Sequence, residues 1–190
     1  MSLLAWNCRG LANPRIVKLL LDFNQQYRPS LIFLSETLVK QSKVENVCKR
    51  LGFAGFFVVD GQGHGGGIVL IWRNEGVVQI VNSCQSFIDF EISHDQAGKW
   101  RYTGYYGFPE RARRTESWNM LRELSVASSL PWCIIGDIND IVSMEEKRGG
   151  KNQPRKLLEG FSKAIMDCGL HGICTHGRDQ EEGNHGFKRD

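Results

Sequence analysis

The sequence predicts an α/β fold in one globular domain. Three observations carry this: short apolar runs of strand length alternate with helical patterns, the runs "SLLAW" and "LIFLSE" are apolar enough to be buried strands, and Ile88, Phe90 and Ile92 alternate with Asp89 and Glu91. At 190 residues, with 41% hydrophobic and 24% charged side chains, the chain can enclose a sizeable core. Neither a repeat nor a low-complexity linker interrupts it.

Taken in order, "SLLAW" opens as a strand. Asn13 and Pro14 then start a helix as N-cap and first helical residue, with Ile16, Leu19, Leu20 and Phe23 on its apolar face. "LIFLSE" is the second strand. Ser42 and Glu45 have the spacing of a capping box before Val44, Val47, Cys48 and Leu51, and Gly52 stops that helix. "GFFVVD", "GGIVLIW", "VVQIV" and "SFIDFEIS" follow as strands, the last with one wet face in an antiparallel pairing, and "KWRYTGYYG" continues the series. A helix over "TESWNMLRELS" precedes the strand "PWCIIGDIND", and a final helix runs from about Pro154 to Cys168 on a stripe of Leu157, Leu158, Phe161 and Ile165. These elements define a domain over residues 1–170. Residues 171–190 read as a divergent, flexible tail, because from Thr175 onward Phe187 is its one large apolar side chain.

Composition narrows the function classes. The apolar runs fall short of the roughly 18 residues that span a bilayer, and the start "MSLLAWNCRG" lacks the pattern of a secretory signal, so an intracellular protein is expected. The net charge of +3 permits a nucleic-acid partner without requiring one. The six cysteines are scattered and read as free thiols. Cys168, His171, Cys174 and His176 crowd into "CGLHGICTH", but their spacing is irregular for a structural zinc site.

Polar residues gather at strand ends. Asn7 follows "LLAW", Glu36 follows "LIFLS", Tyr105 and Tyr106 close "RYTGYYG", and Asp137 and Asn139 close "WCIIGDIN". In open α/β sheets ligands bind beyond one set of strand ends. Because side chains alternate along an extended chain, Asp137 and Asn139 project on the same face, with Ile138 turned back into the core. Singly, each residue has a plainer reading: Asn7 as a turn residue, Glu36 as a helix-start carboxylate, Tyr106 as a packed aromatic. Together, oxygen ligands such as Asn7 and Glu36 suit Mg2+, and Asp137 with Asn139 could hold or deprotonate an attacking water, which fits phosphodiester hydrolysis.

The motifs "WNCRGLANPR", "LIFLSET", "GGGIVLIW", "WRYTGYYGFPERARRTESW" and "PWCIIGDINDIVSMEEKRGG", in that order, closely resemble the endonuclease domain of plant non-LTR (LINE-type) retrotransposons. That domain belongs to the apurinic/apyrimidinic endonuclease-like branch of the endonuclease/exonuclease/phosphatase superfamily. The resemblance covers residues 3 to 170 and implies a four-layer α/β sandwich of two mixed β-sheets flanked by helices. It implies Mg2+-dependent nicking of DNA, with Mn2+ as a substitute ion, a reverse-transcriptase region in the parent element, and action in the nucleus. Carried over, Asn7 and Glu36 are metal-site residues, Tyr106 contacts phosphate, Asp137 positions or activates the water, and Asn139 orients water and phosphate. The loop of Arg111, Arg113 and Arg114 reads equally as a DNA-phosphate contact or as a solvated helix start.

Two departures stand out. Ile138 occupies the place of a family Phe, a change between apolar core residues. The family's closing strands, with an Asp that orients a His and a Ser-Asp-His motif, have no counterpart, so the sandwich is expected to lack its final strands and His171, His176 and His185 receive no role. A lost general acid/base costs on the order of 10^2- to 10^4-fold in rate, so a weakened endonuclease is expected. A nucleic-acid-binding remnant without turnover and a phosphatase acting on a small phosphorylated substrate are the alternatives.

Overall fold

The computed structural model describes residues 1–61, 66–94, 98–144, 152–173 and 184–189. In chain order the elements are β1 (Leu3–Asn7), α1 (Pro14–Tyr27), β2 (Leu31–Ser35), α2 (Gln41–Leu51), β3 (Gly55–Val59), β4 (Ile68–Trp72), β5 (Val78–Cys84), β6 (Phe87–His94), β7 (Gly98–Tyr106), α3 (Arg114–Val126), β8 (Trp132–Asp137), α4 (Arg155–Asp167), β9 (His171–Gly172) and β10 (Asn184–Arg189). The strands form two sheets, ordered β1-β2-β4-β3 and β5-β6-β7-β8-β10-β9. Each sheet is mixed: β1 and β2 pair in parallel, as do β7 and β8, and the other pairs are antiparallel. Parallel neighbours need a crossover, and α1 and α3 supply it.

Strand periodicity sorts the apolar side chains into layers. On β2, Ile32 and Leu34 pack under α1 and α2 with Val44, Val47 and Leu51. Their neighbours Leu31 and Phe33 point the other way and meet Ile88, Phe90 and Ile92 of β6. A strand buried on both faces accounts for the unbroken run "LIFL". The outer face of the larger sheet packs Trp132 and Ile134 against Trp118, Leu121, Phe161 and Ile165 of α3 and α4. The order is helices, sheet, sheet, helices, the four-layer sandwich that the resemblance implies. Phe33 sits where the sheets meet. A Cβ on Gly104 would lie 2.2 Å from its ring, and one on Gly136, at φ +136°, would lie 2.0 Å from the Tyr105 carbonyl oxygen.

Asn13 caps α1 as expected, its side chain accepting from the Arg15 N–H at 3.0 Å. Three local readings need correction. Ser42 is no cap: α2 starts at Gln41 after Lys40 and has no side-chain cap bond. The charged face of β6 is not wet at Asp89, which is 1% exposed. Its carboxylate accepts from the Arg101 guanidinium at 2.8 Å and the Thr103 hydroxyl at 2.7 Å, and α3 covers the pair through its Leu124 carbonyl. The stretch from 171 on, expected to be flexible and without strands, supplies β9 and β10. Backbone bonds to β8 fix β10 in register, and Phe187, 4% exposed, meets Phe161 edge-on. One apolar residue is enough because the ladder, not a new core, holds that strand.

Cys8, Cys48, Cys84, Cys133 and Cys168 are free thiols. Cys174 and His176 lie outside the described residues. Among the described residues, no helix is long and apolar enough to cross a membrane.

Candidate active site

Four strands from two sheets end at one place. Asn7 is the last residue of β1, Glu36 follows β2, and Tyr106 and Asp137 are the last residues of β7 and β8. The Asn7 amide nitrogen donates to Glu36 Oε1 and to Asp137 Oδ2, both at 2.9 Å. The Tyr106 hydroxyl donates to the same Glu36 Oε1 at 2.7 Å. Two carboxylates fix the orientation of the Asn7 amide, since turning it over would set its oxygen against two anions. The Asn7 Oδ1 is left buried and, among the described residues, without a hydrogen-bond partner.

The electrostatics follow from burial. Asp137, 7% exposed, has its pKa raised mainly by desolvation; the hydrogen bonds from Asn7 and from the Asn139 backbone pull it down, the Glu36 charge raises it, and Arg9 lowers it. Desolvation, then the bond to Glu36, pushes the Tyr106 phenol well above its ordinary range, so it stays a neutral O–H donor. The thiol of Cys8 is pushed up to about 11, chiefly by burial.

Asn139 reaches the site by a different route from the expected alternation. The strand ends at Asp137, and Asn139 turns back in the left-handed region at φ +59°. Its N–H donates to Asp137 Oδ1 at 3.0 Å while its Nδ2 donates to the Gly107 carbonyl at 2.8 Å, and Ile138 is fully buried as expected. This short Asx-type turn locks the carboxylate and ties the β8 end to the β7 end.

The basic loop divides three ways. Arg111 is exposed. Arg113 stacks 3.5 Å over the Phe108 ring and pairs with Glu116 at 2.9 Å. Arg114 is 7% exposed and donates to Asp140 at 2.6 Å and to the Pro109 carbonyl at 3.2 Å. Asp140 also accepts from the Trp118 indole at 2.8 Å. Such engagement makes Arg114 a support of the loop and leaves the phosphate-contact reading to Arg111 and Arg113. Sequence reasoning passed over Asp140, the third polar residue of "DIND", and Arg9, whose charge bears on Asp137. The signal for Arg9 was its place two residues after the strand-end Asn7 and directly before Gly10. His171 is exposed on β9, and His185 lies on β10 opposite Gly136. Both therefore stand on strands, contrary to expectation.

Among the described residues no three or more His, Cys, Asp or Glu side chains are grouped to hold a metal. The donor set here is different: two carboxylates beside an orphaned amide oxygen. It fits a hard divalent cation that takes few protein ligands and keeps its waters, with Glu36 and Asn7 Oδ1 as ligands.

The fold has many solved counterparts. An AP endonuclease from Archaeoglobus fulgidus superposes with a TM-score of 0.71 at 13% identity, covering 99% of this chain and 86% of its own. The endonuclease domain of TRAS1, a telomere-specific non-LTR retrotransposon, gives 0.64 at 15% identity, over 98% and 83%. The 3′ phosphatase NExo from Neisseria, bound to product DNA hairpin, gives 0.67 at 13% identity, over 99% and 86%. No curated protein matches the sequence. The match that decides the family is to the sequence itself: over residues 4–186, strand ends and site residues included, this chain belongs to the Endonuclease/Exonuclease/phosphatase family.

Proposed function

We propose that this chain is a divalent-metal-dependent DNA endonuclease of the plant LINE type, nicking one strand beside a reverse-transcriptase region of its parent element and acting in the nucleus. The observation that carries the reading is the joined set of Asn7, Glu36, Tyr106 and Asp137, with two carboxylates on one amide and the amide oxygen left over. Mg2+, or Mn2+ in its place, held by Glu36 and Asn7 would supply neutralising charge to a phosphate. The carboxylate of Asp137, buried and fixed by the Asn139 N–H, orients a water and takes its proton. Asn139 holds the turn that aims it. Tyr106, kept neutral, turns its one O–H from Glu36 to a phosphate oxygen when substrate is bound. Arg111 and Arg113, on the loop that follows Tyr106, add sequence-independent attraction to the DNA backbone.

A supercoiled plasmid tests this. Purified protein nicks it in Mg2+, EDTA stops the nicking, and the double variant Glu36→Ala, Asp137→Ala is inactive. If wild type binds DNA without nicking, the chain is a binding remnant. If it instead releases phosphate from small esters and leaves plasmid intact, it is a phosphatase, and the endonuclease reading is wrong.

A further inference from the structure

Backbone strain in this molecule is concentrated. Of the five non-glycine residues at positive φ among those described, Arg28 ends α1, while Arg9, Glu36, Leu38 and Asn139 all lie in the loops that form the site. Strain at Glu36 and Asn139 is explained by the groups they aim. Arg9, at φ +47°, and Leu38, at φ +53°, are both exposed, and Leu38 keeps 48% of its surface in solvent. A left-handed leucine is rare, and this one leaves about half of its side chain in water.

The two loops are locked to each other. The Gly10 and Leu11 N–H groups donate to the Glu36 and Thr37 carbonyls at 2.8 Å, and the Thr37 and Leu38 N–H groups donate to the Gly67 and Gly66 carbonyls at 3.1 and 3.2 Å. A Cβ on Gly10 would lie 3.8 Å from the Leu38 side chain, so the loops abut. The cation directly before Gly10 and the apolar side chain that abuts Gly10 are thereby held on one rim, each within two residues of a site group, Asn7 or Glu36.

We infer that Arg9 and Leu38 form a rim clamp for a polynucleotide: Arg9 takes a backbone phosphate next to the one in the site, and Leu38 packs on the sugar or base between them. This rests on the DNA reading above and sharpens it, because a polynucleotide places a second phosphate and an apolar sugar or base beside the first, which a simple phosphate monoester does not. Apolar side chains pressed against nucleotides are a common device where a protein must hold DNA in a fixed frame.

The test is binding without turnover. Wild type, Arg9→Ala and Leu38→Gly are titrated in EDTA against a fluorescein-labelled DNA duplex over a range of salt, and their unfolding midpoints are recorded. Arg9→Ala should weaken binding and reduce the slope of log K against log salt by about 0.9, the signature of one lost phosphate contact. Leu38→Gly should weaken binding about five-fold with the slope unchanged, while its midpoint stays level or rises, because glycine relieves the positive φ. A purely packing role for Leu38 would lower the midpoint instead and would overturn its part. If wild type binds DNA and both variants match it, the clamp is wrong and the DNA reading stands. If wild type fails to bind at any salt, the DNA reading fails and the clamp with it.

Discussion

In the middle of the six-stranded sheet, Asp89 is closed in by donors: the Arg101 guanidinium grips both its oxygens, the Thr103 hydroxyl joins, and the Trp132 indole completes the chain by donating to Thr103 at 2.8 Å. At the strand ends, Glu36 and Asp137 share one neutral amide, with the Tyr106 phenol on Glu36, the Asn139 N–H on Asp137, and no cation bonded to either among the described residues. The ingredients are similar: a buried carboxylate, joined at the strand ends by the half-buried Glu36, with an aromatic donor and a small polar group. The first network is neutral and saturated, and nothing in it can do chemistry. The second carries excess negative charge and an unused amide oxygen, an arrangement that stability alone would not favour. The polar groups of one protein thus divide into a set closed by its own donors and a set left open at the strand ends.

The sharpest way to break this comparison is to open the saturated network. Arg101→Ala leaves Asp89 buried and unpaired and should cost about 3–5 kcal/mol in urea unfolding. An effect below about 1 kcal/mol would mean that water enters and the network is not closed. Arg114→Ala removes one of Asp140's partners while the Trp118 indole still donates to it, so its cost should be smaller than that of Arg101→Ala.

Glu36→Gln probes the other network without removing a hydrogen bond, since the Gln oxygen can still accept from Asn7 and Tyr106. In EDTA the variant should be at least as stable as wild type, while Mg2+-dependent nicking falls by on the order of 10^2-fold or more. A large loss of stability would place Glu36 among the structural acids.

The pH dependence is a smaller effect. Because the folded Asp137 pKa is raised above its ordinary value of 3.8, the folded state binds its proton more tightly than the unfolded chain does. Stability from this group is therefore lost as pH rises from about the ordinary value through the folded pKa, and regained on acidification. Glu36→Gln removes a charge that raises it, so this decline should be shallower in the variant, measured as unfolding free energy against pH. The smallest stability effect belongs to Arg111→Ala: the residue is exposed, so stability should change by less than about 0.5 kcal/mol while duplex binding weakens.

What could be read in the sequence follows the reach of each interaction. The strands of the two sheets are local patterns, and "LIFLS" or "IVLIW" declares itself by its own residues. Asn7, Glu36, Tyr106 and Asp137 were readable for the same reason, as polar groups at the ends of apolar runs. Asp89 was not, because its partner Arg101 stands on the next strand and an alternating charge looks wet until α3 is laid over it. Arg114 misleads likewise: its charge suggests solvent, and its partner Asp140 lies beyond a helix and a strand. Asn139 shows the limit of periodicity, where one left-handed residue cancels the extended alternation. In β10 the ladder to β8 does the work that apolar pattern does elsewhere, so nothing in its side chains announced it.

The claim at the centre is that the strand-end network is built for a divalent cation, and melting in Mg2+ tests it most directly. Wild type and Glu36→Gln are unfolded thermally in EDTA and across a Mg2+ titration. Binding to the native state alone should raise the wild-type midpoint, with about 1.4 kcal/mol of stabilisation when Mg2+ exceeds its Kd tenfold, and should leave Glu36→Gln nearly unmoved. Equal shifts in both proteins, or no shift in wild type, would contradict the account.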